Sequence, residues 1–76
     1  MRLEVAFSDR VGIASEILTV LALRHLDVVS VEVEPPHVFI DVPGAPEDGF
    51  DALRDAVATV EGVEAIRRVD MLPGAR

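Results

Sequence analysis

The hydrophobic patterning predicts an α+β domain of the ferredoxin-like kind. Its elements run β-α-β-β-α-β, with a four-stranded antiparallel sheet in the order 4-1-3-2 and two helices on one face. Three observations carry this. Apolar residues alternate in strand-like runs at both ends of the chain and in its middle. Two intervening segments repeat at helical spacing. And only Pro35-Pro36 separates the two middle strands, so they must pair as an antiparallel hairpin.

Each element follows in turn. Residues 2–8, RLEVAFS, place Leu3, Val5 and Phe7 on one face of a first strand. Residues 11–25 read as a helix, with Ile13, Ala14, Ile17, Leu18, Val20 and Leu21 in one broad arc and Ser15, Glu16 and Thr19 opposite. Leu23 falls on the polar side and is expected to be exposed. Residues 26–34 put Val29, Val31 and Val33 on one face, and Val28, Ser30, Glu32 and Glu34 on the other. In 37–42, Val38, Ile40 and Val42 point inward and Phe39 outward. A second helix is expected over 47–61, its stripe being Phe50, Leu53, Val57 and Val60, with Gly62 as its stop. The last strand, 63–71, alternates imperfectly because Ile66 and Val69 are three apart, which predicts a bulge or a frayed end there. The domain is taken as residues 1–72, with 73–76 a tail or the start of a linker. The uncovered sheet face would show Arg2, Glu4, Ala6, Ser30, Glu32, Phe39 and Asp41.

Composition narrows the function. A chain of 76 residues that is 50% hydrophobic, with mean hydropathy +0.35, is apolar for its size. A homodimer that covers part of the apolar surface is the expected explanation. The open, valine-rich second strand, or the first helix, is the expected contact. Cysteine is absent, which removes disulfides and thiolate metal sites. Together with the early charges Arg2 and Glu4, it points to a cytoplasmic protein without a signal peptide or a membrane span. Net charge is −7, and the only adjacent basic pair is Arg67-Arg68. Direct contact with nucleic acid needs clustered positive charge and is not expected.

The stretch FSDRVGIASE, residues 7–16, has two readings. In one it is a strand-to-helix turn, with Ser8 or Asp9 capping the helix and Gly12 relieving crowding in its first turn. In the other it is a binding loop. A helix start offers unpaired N–H groups and partial positive charge, a glycine admits a ligand close to the backbone, Arg10 offers a fork for a carboxylate, and Asp9 could meet an ammonium. Such a loop suits a zwitterion.

With DRVG between a first strand and a helix, followed by LDVVSVEVEPP and VFIDV, the sequence resembles an ACT domain. MRLEV, DRVGIASEIL, VEVEPP and EGVEAIRRVDMLP resemble more particularly the N-terminal ACT domain of the TyrR family of aromatic-amino-acid-responsive transcription regulators. The resemblance spans essentially the whole chain. It implies a dimer that binds an amino acid, an aromatic one favoured, at the subunit interface. Asp9, Arg10, Val11, Gly12 and Ile13 would form one half of the site. Val28, Val29, Ser30 and Val31 of the neighbouring subunit would form the other. Two residues depart from the family pattern. His25 stands where glycine is common and has to adopt a left-handed conformation. Asp27 stands where asparagine is common, and its charge would repel a ligand carboxylate.

No other chemistry competes. His25 and His37 lie in different elements without a metal-binding cluster, so neither metal nor cofactor is expected. No nucleophile motif or phosphate-binding glycine loop is present, and the reading is a non-enzyme. A dimerisation module without ligand, or a free-standing ACT protein, is the alternative.

Overall fold

A computed structural model of the protein describes residues 1–8, 10–46 and 48–69. Strand alternation decides which side of the sheet each residue serves. Leu3, Val5 and Phe7 of β1 (Arg2–Phe7) are buried, and so are Val38 and Ile40 of β3 (His37–Asp41), which lie opposite β1 in register: Leu3 faces Ile40 and Val5 faces Val38. β2 (Ser30–Glu34) pairs with the outer side of β3, and β4 (Val63–Arg68) pairs with the other side of β1. The sheet order is β2-β3-β1-β4, all antiparallel, which is the predicted 4-1-3-2 read from its other edge.

Two helices close the inner face. α1 (Ile13–Leu23) buries Ile13, Ile17 and Leu21, and α2 (Phe50–Val57) buries Leu53 and Val57. With Val42 and Val60 these residues form one continuous core. The opposite face carries Arg2, Glu4, Phe39 and Asp41, as expected, and His37 beside them. Phe39 is shielded there by the Arg2 guanidinium, 5.3 Å from its ring centre, and Arg2 is held by Asp41 at 2.9 Å and Glu32 at 3.2 Å. Leu23 is 75% exposed, also as expected.

α1 ends as its sequence requires. The Leu26 N–H donates back to the Leu21 carbonyl at 3.3 Å and the His25 N–H to Ala22 at 2.9 Å, and His25 takes φ 61°. This is the double-bonded helix stop that usually employs glycine. A side chain in that conformation costs about 1–2 kcal/mol, part of which glycine returns through a freer unfolded chain. His25→Gly is therefore expected to stabilise the domain by about 0.5–1 kcal/mol in urea unfolding. A loss of stability would show that the imidazole itself holds the fold.

The elements are shorter than their patterns suggest. α1 begins at Ile13 and not at residue 11, because Gly12 leaves the helical region at φ 84°. α2 starts at Phe50, behind the Gly49 turn, and stops at Val57. The first four residues of 26–34 stay outside the ladder, apart from a bond from the Val29 N–H to Asp41. The irregularity in β4 also lies elsewhere. Phe7 faces Val63 while Ala6 faces Ala65, so Glu64 is the extra residue. That bulge turns both Val63 and Ile66 toward the core. The boundary at 72/73 lies outside the described residues.

Candidate functional site

The loop between β1 and α1 is stitched to the turn that precedes β4. The Ser8 N–H donates to the Gly62 carbonyl at 2.7 Å, and Ser8 Oγ donates to Glu64 Oε2 at 2.6 Å. Ser8 therefore does not cap α1. Asp9, the other expected cap, lies outside the described residues, and no side chain among the described ones caps the helix. Gly12 does not relieve crowding either. A Cβ added to it would meet nothing nearer than Glu16 Oε2, at 3.9 Å. Glycine is needed for its backbone, which is left-handed. Among the described residues, the outcome is room for a Cβ beside Gly12 at the start of α1.

Arg10 is already engaged. Its Nε donates to the Glu61 carbonyl at 2.8 Å, and its Nη1 to Glu16 Oε2 at 2.7 Å. The hydrogen bond from Arg10 holds the Glu16 carboxyl below its ordinary range, and Glu16 raises the guanidinium in return. Both groups are substantially exposed, so the pair contributes mainly orientation. Arg10 thus fixes the loop against the α2–β4 turn, and its charge is largely answered by Glu16. Glu16, Glu61, Gly62 and Glu64 are the residues that sequence reasoning missed here. Only Glu16 had a signal, standing one helical turn after Gly12 on the same face. The other three approach through the fold.

The remaining candidates divide sharply. Val11 is 98% exposed at the loop tip, whereas Ile13 is buried and its N–H already donates to the Arg10 carbonyl at 3.3 Å. Val28 packs partly against the core, Ser30 is half-buried, and Val29 and Val31 are exposed. The two groups lie at opposite ends of the sheet. Ser30 pairs with Asp41, which pairs with Arg2 at the start of β1. The loop leaves the far end of β1, where the Phe7 N–H bonds the Pro36 carbonyl at 2.9 Å. From Arg2 to Phe7 is roughly 17 Å at a strand's rise per residue. One chain therefore does not bring 10–13 and 28–31 together.

Among the described residues no group of three or more His, Cys, Asp or Glu could hold a metal ion, and no helix is long and apolar enough to cross a membrane.

No protein-family model matches the chain. It is similar along its whole length to the HTH-type transcriptional regulatory protein TyrR of Citrobacter braakii and of Salmonella typhimurium, at 31% identity over 77 aligned positions in each case. It spans about 15% of the length of those relatives, in their N-terminal region. In fold it is similar to the ACT domain from the GTP pyrophosphokinase of Chlorobium tepidum, with a TM-score of 0.64 and 18% identity over 90% of this chain and 94% of that one.

Proposed function

We propose that this chain, a domain of ACT fold whose sequence resembles the N-terminal region of TyrR, is an amino-acid-sensing regulatory module that works as a homodimer within a cytoplasmic transcription regulator. It is not an enzyme. It leaves nucleic-acid contact to other parts of such a regulator, in keeping with its net charge of −7. The observation that carries the reading is the start of α1, where among the described residues no side chain caps the helix and an added Cβ on Gly12 would meet only Glu16 Oε2, at 3.9 Å. Backbone N–H groups and the helix dipole favour an anionic group there. A ligand carboxylate would rest on that backbone, and Arg10 would position the loop without gripping the ligand. By the resemblance the ligand is an aromatic amino acid.

The second half of the site must come from another copy. If β2 pairs antiparallel with β2 of a partner subunit, the N-terminal end of the partner's strand comes to lie beside the Glu34–Pro36 end of this one. That is the end from which the 10–13 loop rises.

Calorimetric titration with each of the twenty amino acids, combined with sedimentation, tests the reading. At least one aromatic amino acid is expected to bind and to raise both the melting temperature and the dimer fraction. The engagement of Arg10 by Glu16 and Glu61 favours one competing account, a dimerisation module without ligand. That account stands if no amino acid at millimolar concentration shifts either quantity.

A further inference from the structure

Glu16 stands one helical turn after Gly12, so the two share a face at the start of α1. The Glu16 N–H donates to the Gly12 carbonyl at 3.0 Å. Its side chain folds back toward the loop. There Oε2 accepts from Arg10 Nη1 at 2.7 Å and lies 3.9 Å from where a Cβ on Gly12 would sit. A carboxylate oxygen is therefore at contact distance from the space in which a ligand on the helix start would rest. The Glu16 side chain is 52% exposed, and among the described residues its one side-chain hydrogen bond is with Arg10. A carboxylate accepts about four hydrogen bonds, so most of that capacity is still open.

Glu16 has an ordinary role as well. An acid in the first turn complements the helix dipole, and this one also latches Arg10. That role stabilises the loop and has no bearing on which ligand binds. The hydrogen bond from Arg10 holds the Glu16 carboxyl below its ordinary range, so the group is ionised at neutral pH.

We infer that Glu16 selects the class of ligand: it receives the ammonium of an amino acid whose carboxylate lies on the α1 backbone, and it repels acids that lack an ammonium. This rests on the sensor reading above and names the residue that gives it chemical selectivity. The two charged groups of an α-amino acid sit on one carbon. With the carboxylate beside Gly12, the ammonium falls within reach of Glu16 and can donate to it while Arg10 keeps its own bond. The helix start then meets the negative end of the ligand and Glu16 the positive end. The matching acid without an ammonium brings only negative charge toward Glu16. Like charges about 4 Å apart lose roughly fivefold in affinity in bulk water, and more beside a protein surface. Arg10 answers part of that charge, which sets the expected preference at about tenfold and not thousandfold.

Calorimetric titration of the parent, Glu16→Gln and Asp9→Asn tests this. Phenylalanine, tyrosine and tryptophan are set against phenylpropionate, hydroxyphenylpropionate and indolepropionate, each of which lacks only the ammonium. Glutamine keeps the length of Glu16 and an oxygen for Arg10, so the melting temperature is expected to move by no more than about 5 °C. The parent is expected to bind its best amino acid at least about tenfold more tightly than the matching propionate. Glu16→Gln is expected to bring the two within about threefold of each other, while Asp9→Asn preserves the preference. A preference that survives in Glu16→Gln, or that disappears in Asp9→Asn instead, would overturn the assignment and leave the sensor reading standing. So would equal weakening of both ligands in Glu16→Gln, the result that a purely structural Glu16 predicts, and so would a parent that binds both alike. A parent that binds no amino acid at millimolar concentration would overturn both.

Discussion

Replacing Gly62 with alanine is expected to destabilise the domain by about 2–4 kcal/mol, the sum of a backbone cost and a packing cost. The backbone cost arises because Gly62 sits at φ 98°, where a side chain is strained whatever space surrounds it. The packing cost arises because the new Cβ would lie 2.9 Å from Ile13 Cδ1 and 3.3 Å from Arg10 Nε. Ile13 is buried in the core and cannot swing clear. Arg10 can yield only by giving up its bond to the Glu61 carbonyl. For a domain this small, such a loss corresponds to a fall in melting temperature of roughly 10–20 °C. The Ser8–Ile13 amides should also exchange faster with solvent, since the loop loses its anchor. A variant melting within about 2 °C of the parent would refute the claim that the Gly62 turn holds the loop.

That turn marks the limit of what could be read from the sequence. Period-two and helical patterns located every element, because each strand buries one face and each helix one stripe, and those are local properties. The hairpin was legible because the two-residue Pro35-Pro36 link leaves no other way to pair its strands. The left-handed His25 was legible from the resemblance, because it stands where that family commonly has glycine. The missed features are all long-range. The bulge at Glu64 depends on the pairing of β4 with β1. Arg10 looked like a ligand grip because one of its partners, Glu61, lies far along the chain. The exposure of Val29, Val31 and Val33 was not among the misses, because the second strand already read as an open, valine-rich edge.

Gly12 should respond in the opposite way to Gly62. It too is left-handed, at φ 84°, but its added Cβ meets only the end of the Glu16 side chain, at 3.9 Å. Alanine or leucine at this position should therefore cost only the backbone strain, about 1–2 kcal/mol, and leave a folded domain. The two substitutions separate strain from occlusion, because they share the backbone cost and differ only in what projects over the first turn of α1. If a ligand carboxylate rests on that backbone, Gly12→Leu should abolish binding, by 100-fold or more in calorimetric titration with the amino acid that the parent binds. Gly12→Ala should retain measurable affinity. Both should melt within a few degrees of one another. Unchanged affinity in Gly12→Leu would remove the loop from the site, whatever the domain senses. Equal loss in both variants would assign the effect to the backbone conformation and not to the space above it. A graded loss, with leucine far worse than alanine at equal measured stability, points to a ligand in contact with the helix start, because equal stability excludes a difference in the fold itself.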